Sequence, residues 1–157
     1  MSTLSQELKK RQPFSSAEQE AVLNLFRTSD RIQIRFTRLF RDYGLTPSQY
    51  NILRILRGEG APLKVLDIAE RTITVVPGIT GLIDRLERVD LVRRERSRQD
   101  RRVVYVAITE RGLELLARLD SPLSELHADV LRQLSRAEVQ ELIRLLEKAR
   151  EGNPPLS

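Results

Sequence analysis

Six arginines and two acidic residues fall within the ten residues 93–102, RRERSRQDRR. The wider window 85–102 holds eight arginines against four acidic residues, a net charge of +4. Guanidinium groups at this density attract a polyanion and can bind phosphate oxygens through paired hydrogen bonds. A solvated basic turn is the alternative, because arginine-rich loops are common. The elements on either side of the arginines distinguish a polyanion-binding site from a solvated turn.

The residue types exclude several classes of chemistry. The 157 residues include no cysteine and one histidine, which excludes disulfides, thiolate zinc sites and a multi-histidine metal site. Glycine-rich phosphate loops, zinc-protease motifs and nucleophile elbows are also missing from the sequence, so we expect no enzyme activity, no cofactor and no metal. The sequence shows no secretory segment and no run of about 18 apolar residues, so we expect a cytoplasmic protein without a membrane partner.

The arginine-rich stretch is predicted to form the tip and flanks of a β-hairpin. Residues 91–96 and 103–108 have the β-branched content of strands, most clearly in Val103-Val104-Tyr105-Val106. Two short helices precede them, at about 65–71 and 77–88, joined by a tight turn. A helix-turn-helix followed directly by a hairpin is a winged helix. The predicted fold class is therefore mainly α with a small β-hairpin wing.

The start of the second short helix has residues suited to a DNA groove. Such a helix reads base edges with its N-terminal residues. Small residues permit close approach to phosphates, and the Thr80 methyl group can meet thymine. The alternative for Pro77 and Gly78 is that they only mark the turn and the start of the helix. The predicted contacts at this end are Val76, Pro77, Gly78, Thr80 and Gly81.

Longer helices flank the winged helix. Capping boxes at Ser15 or Ser16 and at Thr46 predict two helix starts, and Ser135-x-x-Glu138 predicts a third. The first helix reaches Tyr43, which is too long for a small core, so part of its apolar stripe should meet another chain. A seam of leucines spaced three and four apart predicts one helix that is kinked, rather than broken, at Pro122.

Together these residues resemble the MarR family of winged-helix transcriptional regulators over about residues 15–150. The motifs are Leu86-Glu87 ending the recognition helix, Leu91-Val92-Arg93 in the strand, Asp100-Arg101-Arg102 in the wing, and Ile108-Thr109-Glu110-Arg111-Gly112 before the next helix. The family usually has glycine where this chain has Asp90. Aspartate tolerates a left-handed backbone better than most residues, so we expect that turn to survive.

The resemblance implies a homodimer that binds double-stranded DNA at a palindromic operator, most simply as a repressor. It divides the chain into a flexible arm (1–14), a dimerization helix (15–45), the winged helix (46–109), C-terminal dimerization helices (110–152) and a tail (153–157). Arg102 takes the place of the wing arginine, with Asp100 orienting it. The other arginines expected at DNA are Arg85, Arg96, Arg98 and Arg101. The expected dimerization residues are Val22, Leu25, Leu119, Leu123, Leu126, Val130, Leu142 and Leu146.

Many members of the family release DNA when a small aromatic or anionic ligand binds. The corresponding apolar wall here comprises Phe36, Phe40, Tyr43 and Leu53, for which plain core packing is the alternative. A regulator that senses no ligand is equally compatible with the sequence. A module that binds RNA or any polyanion is the alternative function, although Tyr105 is the only aromatic side chain that the hairpin offers for stacking.

Overall fold

The computed structural model describes residues 3–74, 77–97 and 103–153. The chain forms two compact units, Met1–Ala117 and Arg118–Ser157. The elements in chain order are α1 (Leu4–Glu7), α2 (Ala17–Asp42), α3 (Pro47–Glu59), β1 (Leu63–Lys64), α4 (Val65–Glu70), α5 (Ile79–Arg88), β2 (Val92–Arg96), β3 (Val104–Ile108), α6 (Glu110–Val130) and α7 (Arg136–Glu151). The mainly helical fold with a small sheet is the predicted class.

The predicted helix starts are confirmed by their capping hydrogen bonds. The Ser16 hydroxyl accepts a hydrogen bond from the Gln19 backbone N–H at 3.2 Å, which begins α2. At α3 the box is reciprocal, since Gln49 N–H donates to the Thr46 hydroxyl and Thr46 N–H donates to the Gln49 side chain at 2.9 Å. These bonds satisfy backbone donors that have no partner within the helix.

The segment predicted to be a flexible arm contains a helical turn that packs on the fold. Thr3 and Gln6 form a capping box at α1, and the Leu4 side chain is buried. The Glu7 carboxylate lies 2.6 Å from the Arg31 guanidinium and 3.5 Å from that of Arg27, both on α2. Buried apolar surface and two ion pairs therefore hold residues that the polar sequence alone suggested were loose.

The small sheet has three strands rather than the two that were predicted. Its order is β1-β3-β2, and both pairings are antiparallel. In the hairpin, Val92 pairs with Ile108 and Arg96 pairs with Val104. The extra strand is only Leu63–Lys64, and it pairs with Val106 and Tyr105. Two residues carry no periodicity, so only the distant partner strand makes this segment a strand.

The core of Met1–Ala117 is mainly aliphatic, and most of its fully buried side chains come from α3, the helix-turn-helix and the wing. The side chains with essentially no exposure in this unit include Ile52, Leu53, Leu56, Ile68, Ile83, Leu86, Val92 and Val106. This core fits the low aromatic content of 4%. Helix α5 and the hairpin therefore pack on the same core, which holds their outer faces in place.

The unit Arg118–Ser157 consists of most of α6 together with α7. Helix α6 runs without a break through Pro122, which confirms the predicted continuity. The Ser135–Glu138 capping box begins α7 as predicted. Ile143 and Leu145 on α7 are exposed. In the part of the chain that the structure describes, no helix has the length and apolar character needed to cross a membrane.

Candidate nucleic-acid interface

Helix α5 begins at Ile79, two residues later than predicted. Gly78 precedes it with a left-handed backbone, φ +69°, and makes no side-chain cap. This conformation suits glycine because other L residues are strained there. The prediction that Pro77 opens the helix was therefore wrong, and Gly78 makes the turn. Val76 lies outside the described residues.

One face of α5 is buried and the other is open. Ile83 and Leu86 are fully buried, whereas Thr80 and Arg85 are exposed. The Arg85 Nε donates to the Gly81 carbonyl at 3.1 Å, and an added Cβ at Gly81 would lie 4.0 Å from the Arg85 Nη2 atom. The guanidinium thus folds back along the helix onto Gly81, so that its positive charge lies near the first turn. This is the arrangement that a helix needs to approach a groove and its phosphates.

Arg94 on β2 joins the wing to α5. Its guanidinium nitrogens lie 2.6 Å from an Asp84 oxygen and 2.6 Å from a Glu87 oxygen, and its backbone N–H donates to the Glu87 side chain at 3.0 Å. Burial acts to lower the pKa of Arg94, but the hydrogen bonds to the two carboxylates outweigh it and raise the pKa above the ordinary arginine value. Arg94 therefore stays charged and is engaged within the protein.

This ion-pair cluster was not foreseen from the sequence. The sequence feature that could have indicated it is the spacing of Thr80, Asp84 and Glu87, which lie on one face of the helix at i, i+4 and i+7. Glu87 and Arg94 both lie in the basic window 85–102, and a sum of charges over that window does not show that they pair. Their pairing depends on the approach of β2 to α5, which local sequence does not reveal.

The wing is described up to the residues nearest its tip. Beyond the β2–β3 ladder, Ser97 N–H donates to the Val103 carbonyl at 3.0 Å. Arg96 is exposed, while Arg93 pairs with Glu95 at 2.7 Å. The predicted DNA contacts that lie outside the described residues are Arg98, Asp100, Arg101 and Arg102. Their roles stay predictions.

The base of the wing is fixed by a second set of contacts. Asp90 adopts the left-handed conformation expected of it, with φ +59°. The Thr109 hydroxyl donates to the Asp90 carbonyl at 2.7 Å and accepts from the Gly112 N–H at 3.1 Å. A Cβ at Gly112 would lie 2.4 Å from the Leu91 carbonyl oxygen. The Thr109-x-x-Gly112 motif thus lets α6 start directly against the base of the wing.

The residues expected to line a ligand pocket lie in and around an aromatic cluster. Phe40 and Leu53 are buried, and the Phe40 ring stacks on Tyr50 with 4.3 Å between centroids. Phe36 lies 6.2 Å from Phe40, and both Phe36 and Tyr43 are partly buried. For Phe40 and Leu53 this packing matches the core alternative, and their role in ligand binding stays a prediction.

The expected dimerization residues fall into three groups by exposure. Val22 and Leu25 on α2 are 46% and 44% exposed, so they are available to a second chain. Leu119 and Leu123 on α6 are already buried within the single chain. The partly buried members are Leu126, Val130, Leu142 and Leu146.

Metal ligands do not come together in the described ranges. Across residues 3–74, 77–97 and 103–153, no group of three histidine, aspartate or glutamate side chains could hold an ion. The chemistry that the described surface offers is charge and hydrogen bonding around α5 and β2.

Known proteins are similar to this chain in sequence and in architecture. The MarR family model matches residues 45–104. The uncharacterized HTH-type transcriptional regulator YkoM of Bacillus subtilis is 33% identical over 141 residues, which are 87% of this chain and 90% of that protein. The homoprotocatechuate degradative operon repressor of Escherichia coli is 31% identical over 113 residues, 72% of this chain and 76% of that protein. The crystal structure of a MarR transcription factor from Planctomyces limnophilus has 43% identity and a TM-score of 0.67, covering 86% of this chain and 98% of that one.

Proposed function

Because the chain belongs to the MarR family of transcription regulators, we propose that it represses transcription as a homodimer bound to a palindromic operator. The observation that carries this proposal is the exposed start of α5, where Thr80 is open to solvent and the exposed Arg85 folds back onto Gly81, on a helix fixed to the wing. A twofold dimer presents two such helices, so its binding site should read as an inverted repeat.

The exposed apolar side chains of α2 support the dimer. Val22 and Leu25 are nearly half exposed and Phe26 is 68% exposed, which is unusual for neighbouring apolar residues without a partner. A second copy of the chain would remove this surface from water. Repression, rather than activation, is supported by the Escherichia coli relative, which is named as an operon repressor.

Selection from a random pool of DNA duplexes, at two salt concentrations, tests this function. We expect wild type to enrich an inverted repeat with half-site centres about one helical turn, ~10 base pairs, apart. The Arg102→Ala variant should enrich the same repeat more weakly, because the wing arginine is proposed to contact the minor groove. Failure to enrich any sequence, with binding that fades as salt rises, would indicate a general polyanion-binding surface instead.

We also propose that a small aromatic acid modulates DNA binding through the region of Phe36 and Tyr43, both partly buried. A ligand that binds only the folded protein raises its melting temperature, so a thermal-shift series of aromatic acids is the direct measurement. The proposal requires a hit that also weakens binding to the selected duplex. A series without any shift would favour a regulator that competes at its promoter and senses nothing.

RNA binding remains the alternative function, and the wing gives it little support. Tyr105 is partly buried and is the single aromatic residue in the hairpin sequence 91–108, whereas RNA-binding sheets stack bases on several aromatic side chains. Competition between the selected duplex and structured RNA separates the two functions, since preference for RNA would contradict the operator proposal.

A further inference from the structure

Arg94 holds two parts of the DNA-binding surface together without being placed to bind DNA itself. Its guanidinium contacts Asp84 and Glu87, one helical turn apart on α5, each at 2.6 Å. The same guanidinium lies 3.5 Å from the Thr80 carbonyl in the first turn of the helix. One side chain from the wing therefore touches the helix from its beginning to its last turn.

The main chain of β2 takes part in the same arrangement. Glu87 uses one carboxylate oxygen for the Arg94 guanidinium and the other for the Arg94 backbone N–H, at 3.0 Å. A contact through side chain and main chain fixes both the distance and the rotation of the strand relative to the helix. A planar, forked donor is required for this geometry, which a lysine ammonium cannot reproduce.

The charges explain why Arg94 is not available as a phosphate ligand. Two carboxylates surround one guanidinium, so the three side chains carry a net charge of −1. The Arg94 side chain is 25% exposed, less than the 43% of Asp84 and the 39% of Glu87. A phosphate approaching this cluster would meet the carboxylates first and be repelled.

We propose that Arg94 is a positioning residue for sequence selectivity, which fixes the wing at one orientation relative to α5. Both elements can then reach their parts of one DNA site at the same time. Without the forked contacts of Arg94, the helix and the wing can each still bind phosphates, but their base contacts no longer fall in register on one DNA site. This inference rests on the proposed sequence-specific DNA binding.

The test uses the full-length protein and compares affinities for the selected duplex and for a scrambled duplex of equal length over a salt series. Arg94→Lys keeps the charge and removes the fork. We expect the ratio of specific to non-specific affinity to fall about tenfold or more, with non-specific affinity and its salt dependence unchanged. Arg88→Lys is the matched control, since it makes the same exchange at an exposed arginine of α5 and should leave the ratio unchanged.

A second variant should lower the same ratio and also change the non-specific affinity. Glu87→Gln removes one negative charge and weakens the contact with Arg94. Non-specific affinity should rise while the ratio falls, because the surface becomes more positive as the orientation loosens. Loss of stability alone would leave both quantities unchanged when every variant is assayed well below its melting temperature.

The outcomes separate the two proposals. A wild type that selects no sequence overturns the proposed function and, with it, a role of Arg94 in selectivity. A selective wild type with unchanged ratios in Arg94→Lys and Glu87→Gln overturns the positioning role alone. If Arg94→Lys does not fold, an unchanged ratio in Glu87→Gln is still sufficient to reject that role.

Discussion

Gly112 is a residue whose missing side chain permits the junction between the wing and α6. A Cβ at this position would lie 2.4 Å from the Leu91 carbonyl oxygen and 2.7 Å from the Ile108 Cγ1 atom. We expect Gly112→Ala to lower the free energy of unfolding by about 1–3 kcal/mol, the usual cost of overpacking. Urea unfolding followed by circular dichroism measures this change.

Gly58 supplies the control for that substitution. It lies within α3, and an added Cβ would have no neighbour within 4 Å. Gly58→Ala should leave stability unchanged or raise it by at most about 1 kcal/mol, because alanine loses less backbone entropy in a helix. Equal stabilities for the two variants would mean that the crowding at Gly112 has no energetic consequence.

At the scale of single residues, the sequence predicts conformation better than it predicts partners. Asp90 was expected to accept a left-handed backbone, and it does so at φ +59°. The pairing of Arg94 with Asp84 was not predicted, because residues ten apart are brought together by the packing of a strand on a helix. Local backbone preferences are properties of a residue type, whereas an ion pair is a property of the fold.

At the scale of elements, the start of α7 should respond to pH. Backbone and side-chain hydrogen bonds from Ser135 lower the pKa of Glu138. A carboxyl group with a lowered pKa in the folded state contributes stability above the ordinary glutamate pKa, about 4.3, and this contribution is lost as the pH falls through the lowered value. Glu138→Gln should therefore remove part of the loss of stability in acid.

Melting temperatures from near-neutral pH down to acid pH test this expectation. The acid-induced loss should be largest in wild type, smaller in Ser135→Ala and smallest in Glu138→Gln. Ser135→Ala is intermediate because it keeps the backbone N–H that donates to Glu138 at 2.7 Å. The three proteins would have parallel pH profiles if the capping turn made no pH-dependent contribution.

The elements that were predicted correctly are those with a local signal. Capping boxes at Thr46 and Ser135 determine where their helices begin, and both starts were found. The strand Leu63–Lys64 was missed because its identity depends on pairing with Tyr105 and Val106, about forty positions away. The start of α5 was misplaced because Pro77 is a familiar first helical residue, whereas Gly78 has the decisive backbone angle.

At the scale of the whole molecule, the exposed apolar residues of α2 predict association. Leu25→Glu places a charge where the proposed interface would be dry, so the variant should sediment as a monomer of about 18.1 kDa. Asn24→Glu makes the same change of charge at an adjacent exposed residue and should leave a dimer intact. A stable dimer of the Leu25→Glu variant would place the interface elsewhere, and analytical ultracentrifugation decides between the two.

Leu123 is a poorer probe of the same interface. It has the spacing of a dimerization seam, yet it is only 7% exposed in the single chain. A charge there would disrupt the chain's own packing before any partner was affected. Periodicity identifies a buried face, but it does not distinguish burial within the chain from burial against a second copy.

The contact at Gly112 also joins the start of α6 to the base of the wing. The first turn of α6 and the base of the wing meet without slack, and the Thr109 hydroxyl ties both to the turn at Asp90. Because the two elements share this contact, we expect a displacement of the first turn of α6 to be transmitted to the base of the hairpin, with Gly112 as the point of closest approach.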